Sequence, residues 1–319
     1  MDHGVYRRPR GATIDPSNGQ GTRSKGLRLG QRRGPWRPNS RPHYSLRPRA
    51  EGATFRAMTK RPLLKGWSIA LSVSDSPDLS VLGLNERHLR DGMVAVAGCF
   101  LAAGATLLYG GDLRALGFTE LLFELAAGYR SETEGRRRAV ANLLAWPVHI
   151  ALSQEELERR RNRLGASGSL VCLSPDGAVM SHQERASLAS KGPSDHEWTQ
   201  GLTSMRRTLA HWCDAHVLLG GQTQRFRGKM PGIAQEALLT LEAGKPVFLI
   251  GGFGGCTRNI AETMMLPERP HRRPLERVRV HDLGNGLTAA EAATLAQTAD
   301  TDEIITLILR GLQRRQTLG

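Results

Sequence analysis

From residue 66 onward, short apolar segments alternate with longer amphipathic segments. Short runs rich in Val, Ile and Leu are typical of buried strands, and apolar positions recurring every three or four residues are typical of helices. The pattern predicts six strands, at 67–73, 105–109, 143–150, 168–173, 215–219 and 246–250. Between them it predicts helices at 85–103, 118–130, 154–164, 198–213 and 231–243, with Asn85 as an N-cap and Gly244 as a C-terminal glycine.

Regular alternation of strands and helices is typical of an α/β, Rossmann-like fold with three layers, in which helices cover both faces of a mostly parallel sheet. The polar segment 174–197 predicts a long loop with one helical turn, and two short helices are predicted at 288–297 and 301–316. We therefore divide the chain into a tail, an α/β domain and a C-terminal helical extension, at residues 1–60, 64–265 and 266–319.

Residues 1–60 are rich in Arg, Gly, Pro and Ser and show no apolar periodicity, so we predict a disordered tail. They contain 14 of the 44 basic and three of the 30 acidic side chains, a net charge of +11, which leaves +3 of the total +14 for the rest. The nearly neutral remainder disfavours nucleic-acid binding except through the basic tail. An alternative is that translation starts at Met58 and the tail is not translated.

Several classes of protein are disfavoured by what the sequence lacks. It contains no apolar run near the ~18 residues that a membrane span needs, and no apolar segment follows its twin-arginine pairs. We expect a cytoplasmic protein without a membrane partner. The cysteines form no CxxC pair, so we expect reduced thiols, no metal site and no required cofactor; they are Cys99, Cys172, Cys213 and Cys256. GxSxG, HExxH and GxxxxGK[ST] motifs do not occur, which disfavours serine hydrolases, zinc peptidases and P-loop proteins.

Glycine and serine clusters directly follow four of the predicted strands. In an open parallel sheet, ligands bind beyond the carboxyl ends of the strands, where glycine allows close backbone approach and the next helix points free N–H groups at an anion. The clusters therefore predict a site for a phosphate-bearing, nucleotide-like ligand, with tight turns as the alternative. The expected ligand-binding residues are Ser72, Ser74, Gly110, Gly111, Asp112, Gly220, Gly221, Gly251, Gly252, Phe253 and Gly254.

The segment that begins at Pro231 adds a carboxylate to this predicted site. Pro231 suits the first position of a helix, where Gly232 and Ile233 would offer unpaired N–H groups to the ligand. Glu236 lies about one turn further along, where it would accept hydrogen bonds from ribose hydroxyls or act as a general base. The alternative is a surface glutamate that is stabilised by the helix dipole.

Two arginines and a threonine are candidates for phosphate contacts. Arg114 follows the second glycine cluster, and Arg206 (or its neighbour Arg207) lies in the helix before the fifth strand. Guanidinium groups suit phosphate oxygens, although a solvated surface role is the alternative for each. Thr119 is expected to cap its helix or contact phosphate. The histidines have no triad-like or metal-like neighbours in sequence, so neither His211 nor His216 is assigned a role.

Two segments of the chain resemble the SLOG superfamily, which includes DprA/Smf proteins, LOG phosphoribohydrolases and the sensor domains of TRPM channels. The segments are YGGDLRALGFTELLFELA (109–126) and LLGGQTQRFRGKMPGIAQEALLTLEAGKPVFLIGGFGG (218–255). The resemblance covers about 200 residues. Within the superfamily, the chain resembles a bacterial SLOG cluster that is often linked to effector or signalling modules.

This resemblance implies a Rossmann-like domain that binds nucleotides or molecules derived from NAD and ADP-ribose. LOG enzymes carry a Pro-Gly-Gly-x-Gly-Thr-x-x-Glu element that supplies phosphate-binding backbone and a catalytic glutamate. Pro231, Gly232 and Glu236 match it here, but the second glycine and the Gly-Thr pair are missing and the glutamate lies closer. The departure favours sensing of a nucleotide signal, as in a bacterial conflict, antiphage or stress system, over LOG-type hydrolysis.

The sequence is compatible with two alternative functions. One is an N-glycosidic or phosphoribo-hydrolase in which Glu236 is catalytic, and the other is DprA-like binding of nucleic acid. If the protein is a sensor, its partners would be a small nucleotide ligand and either a second copy of the chain or a separately encoded effector.

Overall fold

Six parallel strands form the sheet at the centre of the structure. The computed structural model describes residues 62–111, 113–114, 116–129, 139–165, 168–226, 228–265 and 278–318, so the predicted tail at 1–60 lies outside the described residues. The strands are β1 (Ser68–Ser74), β2 (Thr106–Tyr109), β3 (Val140–Leu144), β4 (Gly168–Cys172), β5 (Ala215–Gly220) and β6 (Val247–Ile250). Their order is β4-β3-β2-β1-β5-β6, and each neighbouring pair is parallel.

Helices lie on both faces of the sheet, which confirms the predicted α/β, Rossmann-like class. They are α1 (Glu86–Ala102), α2 (Phe118–Gly128), α3 (Trp146–Ile150), α4 (Gln154–Leu164), α5 (His182–Ala186), α6 (Asp195–Trp212), α7 (Gly232–Glu242), α8 (Gly255–Met265), α9 (Ala289–Leu295) and α10 (Thr301–Leu318). A 3₁₀ turn, Val280–Leu283, precedes α9.

The order of the strands creates one point at which the chain reverses direction across the sheet. From β1 the chain steps outward through β2 and β3 to β4, and then returns to place β5 on the other side of β1. In open parallel sheets, the crevice beyond the carboxyl ends of the two strands at such a point is the usual ligand site. Here those strands are β1 and β5.

Alternate residues of β1 pack into the two opposite layers of the fold. Ile69 and Leu71 belong to the cluster that contains Met93 of α1 and Ile308 of α10, whereas Ala70 packs with residues of α6 such as Leu209. This follows from the two-residue period of side chains along a strand. Since α10 contributes to the same core as α1, the C-terminal helices stabilise the sheet directly.

Several helix boundaries follow local sequence signals. The Asn85 side chain accepts hydrogen bonds from the first turn of α1, and His88 completes a capping box, so the predicted N-cap is confirmed. Gly244, one residue beyond the C-cap of α7, has φ +70°, which confirms the predicted C-terminal glycine.

The structure differs from the predicted elements in three places. The predicted strand at 143–150 ends at Leu144, and 146–150 is helix α3, because Pro147 cannot donate a ladder hydrogen bond and suits a first helical turn. Segment 174–197 contains the predicted helical turn as α5, but the helix predicted at 198–213 already begins at Asp195 as α6, and capping boxes at Ser181 and Ser194 mark the two starts. Helix α8 was not predicted, because its start, Gly255, continues a glycine run typical of a loop.

A buried arginine fixes α5 against α3 and the end of β4. Arg185 is 2% exposed, and its guanidinium donates to His149 Nδ1 (3.0 Å), His149 O (2.6 Å) and Leu152 O (2.7 Å). His149 Nε2 lies 2.8 Å from Leu173 O, so Nε2 donates and Nδ1 is free to accept from Arg185. Burial lowers the pKa of His149 to about 4, which keeps this imidazole neutral near pH 7.

We expect Arg185→Met to lower the free energy of unfolding by about 2–3 kcal/mol, because the backbone carbonyls that accept from the guanidinium would be left buried without donors. Urea denaturation followed by circular dichroism measures the change. Arg159→Met is the matched control, because Arg159 is 71% exposed and should tolerate the change. Equal unfolding midpoints for the two variants would contradict the assigned role.

Candidate functional site

The carboxyl ends of β1 and β5 are joined by a tight backbone contact. Gly221 N donates to Ser74 O at 3.0 Å, and both Gly220 (φ +66°) and Gly221 (φ +105°) have a left-handed backbone. A Cβ on Gly220 would lie 2.5 Å from Ser74 O, so a side chain at this position is excluded. The amide of Gly221, which was predicted to cradle phosphate, is therefore already a donor within the protein.

Helix α7 starts at this crevice with no side-chain cap on its N-terminus. Pro231 is the N-cap and Gly232 the first helical residue, one position later than predicted. Within the described residues, Pro231 caps none of the first amides of this helix, the Ala234 amide is hydrogen-bonded to Cys256, and Ile233 is buried. Unpaired N–H groups at a helix start favour an anion.

Arg206 of α6 lies across the start of α7. Its Nε is 3.3 Å from Glu236 Oε1, and its Nη1 donates to Gln235 Oε1 at 2.6 Å. A Cβ on Gly232 would come within 2.6 Å of Arg206 Nη2, so a side chain here would push the guanidinium tip away from its present position. The structure thus brings together three of the predicted residues, Arg206, Gly232 and Glu236.

Glu236 is buried but incompletely paired. The residue is 7% exposed, and its Oε2 is buried and makes no hydrogen bond in the described part of the chain. Burial raises the pKa of Glu236, while Arg206 and the neighbouring Ser72 hydroxyl act in the opposite direction. The surface role considered from the sequence does not apply, because the carboxyl group faces the interior between α6, α7 and β1.

Beneath Glu236 runs a chain of three buried polar side chains, which includes a histidine that the sequence did not single out. Ser72 Oγ lies 2.7 Å from His216 Nε2, and His216 Nδ1 lies 2.7 Å from Thr240 Oγ1. Burial lowers the pKa of His216 to about 3. Since Ser72 and His216 lie 144 positions apart and meet only through the β1–β5 register, no local motif could reveal the pair.

The glycine cluster after β2 is held by a side chain from β3. Asn142 Oδ1 accepts from Gly111 N at 2.9 Å, and Asn142 Nδ2 donates to Gly111 O at 3.5 Å. A Cβ on Gly111 would lie 2.7 Å from Thr119 Oγ1, and one on Gly110 would lie 2.6 Å from Met205 Sδ. Close packing therefore accounts for both glycines, and Thr119 is buried beneath them.

The glycine cluster after β6 is covered by the C-terminal helices. Gly251 N donates to Leu295 O at 3.2 Å, and a Cβ on Gly251 or Gly252 would collide with the backbone at Ala296 or Thr298, respectively. Phe253 is buried against Gly92 of α1. These glycines allow two backbone segments to touch, which is a reason for glycine that needs no ligand.

An aspartate from the loop after β1 caps the next helix. Asp78 Oδ2 accepts from Gly255 N, the first residue of α8, at 2.7 Å. A Cβ on the preceding Gly254 would lie 2.8 Å from Asp78 Cβ. A carboxylate of the protein itself thus takes the anion position at the start of α8.

The remaining predicted contact, Arg114, lines a different cavity. This cavity of about 230 Å³ lies beyond β1 and β2, and its lining includes Asp75, Glu86, Arg90 and Arg114 but neither Arg206 nor Glu236. Asp112, which was also predicted to contact the ligand, lies outside the described residues.

A larger cavity is lined by none of the predicted ligand-binding residues. It measures about 920 Å³, and the residues that line it come from α2, α4, α5 and the edge strand β4 and its flanks, among them Phe123, Arg161 and Arg185. Among the described residues, no helix is long and apolar enough to cross a membrane, and no cluster of His, Cys, Asp or Glu could hold a metal ion.

Comparison with known proteins gives one informative match. A family model described as SLOG cluster2 matches residues 63–306, which extends from the residues before β1 into α10. Among solved structures, TM1055, a structural-genomics target, is 18% identical, covers 76% of this chain and 98% of its own, and has a TM-score of 0.37, too low to support an argument. No curated protein matches the sequence.

The two buried histidines make stability depend on pH. An unfolded histidine with a pKa of 6.5 binds a proton as the pH falls, whereas His149 and His216 stay neutral down to about pH 4 and 3, respectively. The unfolded state then binds more protons, so we expect the free energy of unfolding to drop between about pH 6.5 and 4. The slope is up to about 1.4 kcal/mol per pH unit for each histidine.

Urea denaturation at a series of pH values measures this slope. In His216→Gln one of the two titrating groups is removed, so its stability should depend less steeply on pH than that of the wild type. The raised pKa of Glu236 has the opposite effect and increases the free energy of unfolding as the pH falls. Because Glu236 is present in both proteins, its effect cancels in the comparison. Parallel pH profiles for the two proteins would show that His216 is not held neutral.

Proposed function

This chain belongs to the SLOG cluster 2 family, and we propose that it binds a nucleotide-derived ligand, of the NAD or ADP-ribose type, at the crevice between β1 and β5. Family membership supports a nucleotide-related function. The observation that carries the proposal is the buried Glu236 Oε2, which makes no hydrogen bond. This oxygen belongs to a carboxylate that lies next to Arg206, near the uncapped start of α7. A ribose hydroxyl would supply the missing donor.

The charges around α7 support a phosphate next to that ribose. Arg206 places a positive charge at the N-terminus of α7, which is the positive end of the helix dipole. The Glu236 carboxylate, 3.3 Å from Arg206 Nε, offsets only part of this positive charge. A phosphate there would accept from the guanidinium and from the unpaired amides at Gly232 and Ile233. The Gly111, Gly221 and Gly251 amides, which already donate within the protein, are assigned no phosphate contact.

The same geometry favours recognition over hydrolysis. Glu236 Oε1 is engaged by Arg206, and the buried Oε2 is the one oxygen left to accept from a ligand hydroxyl, an arrangement that favours holding a ligand over activating a water. The alternative is an N-glycosidic or phosphoribo-hydrolase with Glu236 as the catalytic base, which the raised pKa of this carboxyl supports. As a sensor, the protein would act in a bacterial conflict or stress response through a second copy or a separately encoded effector.

We expect NAD, ADP-ribose or AMP to raise the melting temperature of the wild-type protein, because a ligand that binds only the folded state stabilises it. Glu236→Gln should weaken binding about tenfold or more, since the amide presents one acceptor fewer and no charge. Glu242→Gln, an exposed change at the far end of α7, is the matched control and should bind as the wild type does.

Base release from the same nucleotides, followed by chromatography, separates the two functions. A thermal shift without turnover supports recognition, and turnover that is lost in Glu236→Gln supports the hydrolase. If no nucleotide shifts the melting temperature of the wild type, the proposed function is wrong.

A further inference from the structure

The strand β4 lies at one edge of the sheet, and half of its backbone groups point away from its neighbour β3. Leu173 N donates to Leu144 O, and Leu144 pairs with Cys172 in the parallel register. This register directs the N–H and C=O groups of the odd-numbered residues at β3. The N–H and C=O groups of Leu170 and Cys172 therefore face outward.

The chain that follows β4 covers only the end of this open edge. It folds back as a hairpin, in which Met180 N donates to Cys172 O at 2.9 Å. Over the stretches of chain that the structure describes, no backbone group pairs with Leu170 N, Leu170 O or Cys172 N. Unpaired groups on an edge strand are a template for a further strand, which would satisfy them.

The cavity of about 920 Å³ adjoins this open edge. It is lined by β4, by the C-terminal half of α4 and by the start of α5. A Cβ on Gly168 would lie 2.3 Å from Phe123 Cε1, so glycine lets an aromatic ring pack on the start of β4 and line the cavity. Leu164, Leu170 and Met180 add further apolar surface. The cavity therefore offers both open backbone groups and apolar side chains to an occupant.

The charge of the cavity is positive. Among its described lining residues, the side chains that are charged or can become charged near neutral pH are basic, namely Arg161, His182 and Arg185. Glu158 lies beside them, and its Oε1 accepts from both Arg161 Nη1 and His182 Nε2 at 2.6 Å. One carboxylate thus faces two guanidinium groups and an imidazole, so an occupant with negative charge is favoured.

Charge disfavours an occupant from this chain or from a second copy of it. Two copies that met through β4 would bring the same arginines together. Residues 1–60 carry a net charge of +11, and segments 130–138 and 266–277 each contain four basic and two acidic side chains. None of these segments supplies the negative charge that complements the cavity.

We propose that the open edge of β4 binds an extended, acidic segment of another protein, which adds a strand to the sheet. The backbone of that segment pairs with Leu170 and Cys172, as in other cases where a peptide extends a sheet. Its apolar side chains contact Phe123 and Leu164, and an acidic side chain pairs with Arg161. The inference goes beyond the proposed function and does not depend on it, because the nucleotide site lies at β1 and β5.

The test uses the full chain and two fluorescein-labelled synthetic peptides. Each has a central run of valines, flanked by glutamates in one peptide and by lysines in the other. Fluorescence anisotropy should show the glutamate peptide binding about tenfold or more tightly than the lysine peptide, because its charge complements that of the cavity. Equal binding of the two peptides, or binding of neither, would overturn the proposal.

N-methylation of the glutamate peptide tests the backbone pairing. Two peptides are methylated at alternate positions, in complementary sets, so that each loses the N–H donors along one edge of the strand. One of them should lose binding, and the other should bind as the unmodified peptide does. If both bind equally well, side chains alone hold the peptide and strand addition is wrong.

Charge reversal on α4 tests the position of the site. Arg161→Glu should weaken binding of the glutamate peptide about three- to tenfold. Arg159→Glu is the matched control, because Arg159 lies on the same helix, is 71% exposed and does not line the cavity. Equal weakening in the two variants would refute the assigned position. A dimer of the wild-type chain that the peptide dissociates, measured by sedimentation equilibrium, would show that a second copy takes the edge and would also refute the proposal.

Discussion

The parallel pairing of β1 with β5 is the constraint on which the rest of the structure depends. Six residues of each strand lie in register, from Ile69 with Ala215 to Ser74 with Gly220. This pairing reverses the direction in which the chain builds the sheet, and it brings α6 and α7 together over one face. Arg206 and Glu236 meet because of that arrangement, and Ser72 reaches His216 across the same two strands.

Two buried charged groups illustrate the difference between polar residues that stabilise and polar residues that are available to a ligand. Arg185 donates to His149 and to nearby backbone carbonyls, so its burial is compensated within the protein. Glu236 has a long contact to Arg206 and lies next to the Ser72 hydroxyl, but its Oε2 makes no hydrogen bond among the described residues. An unsatisfied buried acceptor is costly, and such groups are found where a binding partner completes them.

The alternation of strands and helices could be predicted from the sequence because burial on a sheet and on a helix leaves distinct periodicities. Pro231, Gly232 and Glu236 could also be singled out, because they lie within one helical turn or two. The partners Asn142, His216 and Asp78 could not, since each acts on a residue from another element. Glycines posed a further difficulty, because a position that needs a close backbone contact looks the same in sequence as one that needs a ligand.

The contact between the β6 loop and the end of α9 has a consequence for how this family can vary. Gly251 and Gly252 touch the backbone at 296–299, whereas Gly232 touches the guanidinium of Arg206. In related chains, the first two glycines should therefore be retained or lost together with the C-terminal helices, whatever the ligand. Gly232 should instead vary together with the residue at position 206. Sequence changes at the two groups of glycines should therefore be independent, because the first group is constrained by the packing of the fold and the second by the site.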